Sequence, residues 1–331
     1  MEIESFRGRR VLVVLPLTIL LAVGVGLLVG KAAGYAKLLA SLRGASVWWL
    51  AVCFAGEVVS YAGYVLALRG TVRFDGGPDL GRRAGTVVVF AGLGATRLLA
   101  AAGAGGLALL YWVLRRAGVQ KDESIVRVLA LNTLLYGSLG AGVWLAALAL
   151  AFGTGGGAPL AMTLPWLAVV PCCVLAAAWV SVPRRAASLA ERRRGSLPRR
   201  AFASAVGGVV FVRRLTRRDA GATLGSCLYW AGDAFCLWAG LRAFGVDLSA
   251  AAVVLAYGTG YVANLLPLPT GGVGGVDAAM TFALTAVGVP LAPALLGVFA
   301  YRFFSFWLPT IPGAAALAAL PTLGRELAGR A

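Results

Sequence analysis

A chain of 331 residues that is 60% hydrophobic and 13% charged, with a mean hydropathy of +0.85, is neither a soluble globular domain nor a disordered one. Apolar runs long enough to cross a bilayer recur along its length, so the fold class is an all-α polytopic membrane protein. The net charge of +17 does not point to nucleic acid, because most of the excess lies in Arg184 to Arg218, directly after an apolar run, where cytoplasmic topology and anionic headgroups account for it.

The first predicted span, 11–30, follows Arg7, Arg9 and Arg10 and has the length of a full crossing. It reads as an uncleaved anchor with a cytoplasmic N-terminus rather than a removed signal peptide. Further spans are predicted at 47–68, 84–101, 124–151, 160–182, 221–244, 249–266 and 291–320, about eight in all. Shorter helical pieces, 105–117 and 275–288, follow glycine-rich breaks. The arginine-bearing loops 69–83 and 115–127 read as cytoplasmic, and the uncharged loop 153–159 faces the other way. The long basic stretch 184–219 holds a surface helix around Ser204 to Arg218, apolar on one side and basic on the other.

Two halves of the chain resemble each other. Segment 103–132 matches 273–302 at a constant offset of 170, and Ala55-Gly56-Glu57 is echoed by Ala231-Gly232-Asp233, each placing a carboxylate inside a span. The chain therefore reads as a single integral membrane domain, 1–331, with pseudo-repeats 47–151 and 221–320 joined by 152–220. If 84–117 and 249–288 are broken hairpins, positive-inside places their mouths on opposite sides. That makes the repeat an inverted one, a recurring transporter plan.

The second hairpin turns through Asn264 to Asp277, NLLPLPTGGVGGVD. Pro267, Pro269, Gly271, Gly272, Gly274 and Gly275 cannot continue a helix, and backbone freed in hydrocarbon survives only in protein or beside a wet cavity. A glycine-rich turn opening a helix presents N–H groups that suit a phosphate, or it merely allows close packing. Glu57, Asp233 and Asp277 are expensive inside a bilayer and call for a cavity or a basic partner, with Arg97 and Arg302 as candidates. Asp277 also fits a simple helix-start role, and Arg302, beside Tyr301, fits either phosphate binding or snorkelling. Asp75 and Asp79 sit among glycines and arginines and read as a solvated turn rather than a Mg²⁺ site.

The sequence contains no histidine, no GxSxG element, no Walker loop and no dinucleotide fingerprint. Its five cysteines lie in apolar segments without a pairing pattern or metal spacing. No cofactor is expected.

The stretches LPLPTGGVGGVD, AVGVP, APALLGVFAYRFFSFWLP and IPG, between Leu265 and Gly313, resemble the signature of the lysylphosphatidylglycerol synthetase transmembrane-region, or flippase-like domain, family. Thr270 stands where that pattern has proline, and Asp277 where it has glutamate. The resemblance implies an inner-membrane protein of some eight spans linked to moving polar or anionic lipids between leaflets. Lipid aminoacylation is not carried over, since no soluble transferase region is expected.

Together these readings describe a flippase-like transporter of an anionic or lipid-linked polar headgroup, with phospholipid or polyprenyl-phosphate lipids as partners and no catalytic residues. Two alternatives stay open. One is a membrane enzyme acting on a lipid carrier, with Asp233 or Asp277 as base. The other is a non-catalytic partner of a membrane synthase.

Overall fold

A computed structural model describes residues 43–98, 104–153, 158–182, 197–265 and 274–329. The predicted span 11–30 lies outside these residues, as do Pro267, Pro269, Gly271 and Gly272. Among the described residues the chain is helical, with no strand.

Helix α1, Val47–Arg73, stops where Asp75 and Gly76 take positive φ and turn the chain. Helices α2, Gly81–Leu98, and α3, Ala104–Arg116, follow, then the long α4, Lys121–Phe152, with Asp122 and Glu123 in its first turn where the helix dipole favours acids. Helix α5, Leu160–Val180, is a largely exposed apolar helix. The surface helix α6, Leu197–Arg218, begins earlier than expected and packs Ala203, Val206, Phe211 and Leu215 inward while Arg213, Arg214, Arg217 and Arg218 stay exposed. Helix α7, Ala220–Ala243, starts at Asp219, whose Oδ1 accepts the Ala222 N–H at 3.1 Å. Helices α8, Ala250–Tyr261, and α9, Gly275–Ala286, form the second short pair.

The last predicted span, 291–320, is met by one helical stretch that runs on to Ala328: α10, Leu291–Arg302, passes through a π-helical turn, Phe303–Trp307, into α11, Leu308–Ala328. Pro309 has no N–H to give the Ser305 carbonyl, so the regular ladder cannot pass this point.

Among the described residues, four stretches are long and apolar enough to cross a membrane: Val47–Gly76, Lys121–Phe152, Leu160–Val180 and Leu291–Ala328. Helices α3, α8 and α9, of 13, 12 and 12 residues, reach only about 20 Å at 1.5 Å per residue, short of a hydrocarbon core of about 30 Å. Each packs on its neighbour, α3 on α2 and α9 on α8, as a broken hairpin requires.

The centre of the molecule is the α1–α7 seam. Gly56 lies against Gly232, Gly63 against Gly225, and Gly70 against Ala222, so the helices run antiparallel with backbones nearly touching. A Cβ on Gly63 would stand 2.6 Å from the Tyr229 nitrogen, which is why nothing larger fits. Around this seam α2 packs on α11, α10 on α7, and α4 on α8.

The two short helices at offset 170 end alike. Gly118 and Gly288 have φ of 80° and 94°, and Val119 and Val289 donate back to Leu114 and Leu284 at 3.0 and 3.1 Å.

Candidate functional site

The antiparallel seam sets Glu57 of α1 beside Asp233 of α7, each the next residue after the Gly56–Gly232 contact. Both carboxyls are buried. Asp233 accepts from the Tyr301 hydroxyl at 2.9 Å and from the Tyr257 hydroxyl. Glu57 keeps one buried oxygen, Oε2, without a hydrogen-bond partner. These groups form one wall of a cavity of about 470 Å³ inside the bundle.

The opposite wall is built at the broken last helix. The Ser305 carbonyl, deprived of a donor by Pro309, accepts from the Tyr61 hydroxyl at 2.8 Å and from Arg97 Nη2 at 2.7 Å. The Phe306 carbonyl accepts from Arg97 Nη1 at 2.6 Å. Arg97 was expected to partner a carboxylate; instead its guanidinium caps the Ser305 carbonyl and joins the Thr310 hydroxyl on the Phe306 carbonyl. Arg302, the last residue of α10, places Nε 2.6 Å from Asp277 Oδ1. Its Nη2 is buried with no hydrogen-bond partner, and the side chain lines the cavity. The Phe306 ring lies between the two guanidiniums, each 4.6 Å from its centroid.

Asp277 is explained by local geometry. It sits in the first turn of α9, accepts the Gly274 N–H at 2.9 Å through Oδ2, and holds Arg302 through Oδ1. The Gly274 N–H is therefore occupied and is not available to an anion. Gly274 takes a φ of 83° that other residues resist.

Of the residues expected from sequence, Glu57, Arg97, Asp233, Asn264, Tyr301 and Arg302 line this one cavity, with Asp277 behind Arg302. Gly275 opens α9. Sequence reasoning missed the tyrosines: Tyr61, Tyr64, Tyr136, Tyr229 and Tyr261 all face the cavity. The spacing of Tyr61 and Tyr64 on one face of α1, a few residues beyond Glu57, was the available signal. The cysteines also gain a relation that spacing hid, since Cys53 and Cys236 bring their sulfurs to 2.7 Å across the seam.

An all-α bundle with membrane-crossing helices and a buried, charged cavity defines a multi-pass membrane protein. The chain belongs to the lysylphosphatidylglycerol synthase TM region family, whose profile matches residues 13–313, a family of lipid and cell-envelope biosynthesis or transport. The chain matches no curated protein.

Proposed function

We propose that the protein is a flippase-like transporter that carries an anionic or lipid-linked polar headgroup across the bilayer and catalyses no reaction itself. The observation that carries this reading is the cavity, where two acids, two arginines and several tyrosines meet inside a bundle whose outer surface is apolar. Such groups are costly in a membrane and tend to mark a polar pathway. The short, paired helices and the antiparallel seam between corresponding halves support it further, because transporters place their sites where broken helices of inverted repeats meet.

In this reading the headgroup phosphate takes the free Nη2 of Arg302, while Asp277 fixes the guanidinium from behind. Glu57 and Asp233 face it from the other wall. Two carboxyls this close are stable together when a proton or cation is shared, so their occupancy changes as cargo passes. Arg97 keeps the broken helix open.

The test is movement of fluorescent anionic lipids between leaflets of liposomes containing the purified protein. The Asp277→Asn/Arg302→Gln double variant removes the ion pair without stranding a charge. It is expected to slow movement about tenfold or more, the worth of a charge-assisted hydrogen bond. Equal rates for wild type and this variant, or wild-type rates that match protein-free liposomes, would remove the reading.

A further inference from the structure

A second concavity opens on the outside of the bundle. It has a volume of about 790 Å³, within the roughly 300–1,000 Å³ of small-ligand pockets, and its floor is almost entirely hydrocarbon. One wall is a single stripe of α1: Phe54, Val58, Ala62, Leu66 and Arg69. Arg82, Thr86 and Phe90 of α2 form the second wall, and Phe304, Leu308 and Ile311 at the broken last helix form the third.

Three features say what occupies it. First, its length fits a lipid chain. Phe54 and Arg69 are fifteen residues apart on one helix, about 22 Å at 1.5 Å per residue, and Glu57 lies about 18 Å from Arg69 on the same scale. A half-bilayer of hydrocarbon is about 15 Å thick, so the groove is long enough to hold an acyl chain over that depth. Second, its charge is at one end. Arg69 and Arg82 stand together at the mouth, and Gly85 makes room for the Arg69 stem, where a Cβ would lie 2.8 Å from its Cγ. Arg69 is held only at its tip, 3.5 Å from the exposed Asp79, and its Nε is buried without a hydrogen-bond partner. Third, the inner end is shared, since Glu57 and Tyr61 line both this groove and the polar cavity.

We propose that the groove seats one hydrocarbon chain of a phosphate-bearing lipid, with the phosphate against Arg69 and Arg82 and the chain directed toward Glu57. This is a lipid-binding site distinct from the cavity. It deepens the carriage reading by giving the cargo a waiting position from which its headgroup reaches the Glu57–Tyr61 wall. A wall of about 22 Å matches one acyl chain and is short for a polyprenyl one, so the occupant is a phospholipid such as phosphatidylglycerol.

The experiment uses the full chain in nanodiscs doped with phosphatidylglycerol carrying a photoreactive group midway along one acyl chain, with adducts mapped by mass spectrometry. Adducts are expected on the groove residues of α1, α2 and α11 in preference to the equally lipid-exposed α5. Their yield is expected to fall about fivefold for each of Arg69→Gln and Arg82→Gln, as basic side chains near anionic headgroups imply. An uncharged diacylglycerol probe with the same chain should ignore both changes, and Ala62→Trp, at an exposed position, should block the groove to either probe. Stronger displacement of the probe by phosphatidylglycerol than by a polyprenyl phosphate is expected; the reverse overturns the phospholipid assignment. Adducts spread evenly over α5 and α1, or yields unmoved by the arginine and tryptophan changes, overturn the proposal. Labelling without leaflet exchange would sink carriage and leave the site; exchange without labelling would do the opposite.

Discussion

Among the described residues two arginines are buried, and they are treated differently. Arg127 of α4 has every direction closed. Its Nη1 donates to the Val72 and Phe74 carbonyls at 2.7 Å each, and its Nε and Nη2 both reach Glu123, at 3.0 and 2.6 Å. It binds the frayed end of α1 to α4, and Gly77 makes room for it, since a Cβ there would lie 2.6 Å from Nη1. Arg302 has one ion-pair partner, Asp277, whose Oδ1 stands 2.6 Å away without an aligned hydrogen bond, and one buried nitrogen with no partner. A charge satisfied on all sides is fastening, whereas one left open beside a cavity is a site in want of a ligand.

The largest effect expected from this contrast is at Arg302. Replacing it by alanine strands the buried Asp277 carboxylate, and thermal unfolding in detergent should report a loss of about 3–5 kcal/mol. The Asp277→Asn/Arg302→Gln pair should recover most of that stability and none of the transport. Recovery of both would make Arg302 a fastening like Arg127. The second effect is at Arg127, where Arg127→Met removes the guanidinium from the Val72 and Phe74 carbonyls and should cost about 2–4 kcal/mol. Transport per folded molecule should be unchanged; a selective loss of transport would blur the distinction.

A third test concerns the frame that holds the cavity. Gly63→Val pushes a side chain into the α7 backbone and should cost about 1–3 kcal/mol, with a shift in the fluorescence of nearby Trp230. The smallest effect lies at the surface. The Gly81 N–H, and then Arg69, hold the Asp79 carboxyl below its ordinary range. A lowered carboxyl adds stability above its unfolded value and loses it as pH falls through the folded one, so the gain fades only in acid. Asp79→Asn should abolish that acid step and change stability at neutral pH by no more than about 0.5 kcal/mol, as its exposure dictates.

Much of the fold was legible because hydrocarbon leaves little choice. The uninterrupted runs at 47–68, 124–151 and 160–182 became α1, α4 and α5, with ends shifted by a few residues. The π-helical turn inside 291–320 was hidden because Phe303 to Trp307 is as apolar as any span, and only Pro309 and Pro312 betrayed it. The carboxylates and Arg302 were found because charge in a span is conspicuous. The tyrosines were not, since a tyrosine facing a cavity and one facing a headgroup layer read alike. Arg97 was visible but misassigned, because sequence offers carboxylates as partners and cannot show a carbonyl freed by a distant proline.

The contact of Gly56 on Gly232 sits at the midpoint of the antiparallel crossing, with main chain on main chain and nothing between. A joint of that kind behaves as an axle. If one half of the molecule rocks against the other, as the proposed carriage requires, the acids beside the axle stay neighbours while the rims travel farthest.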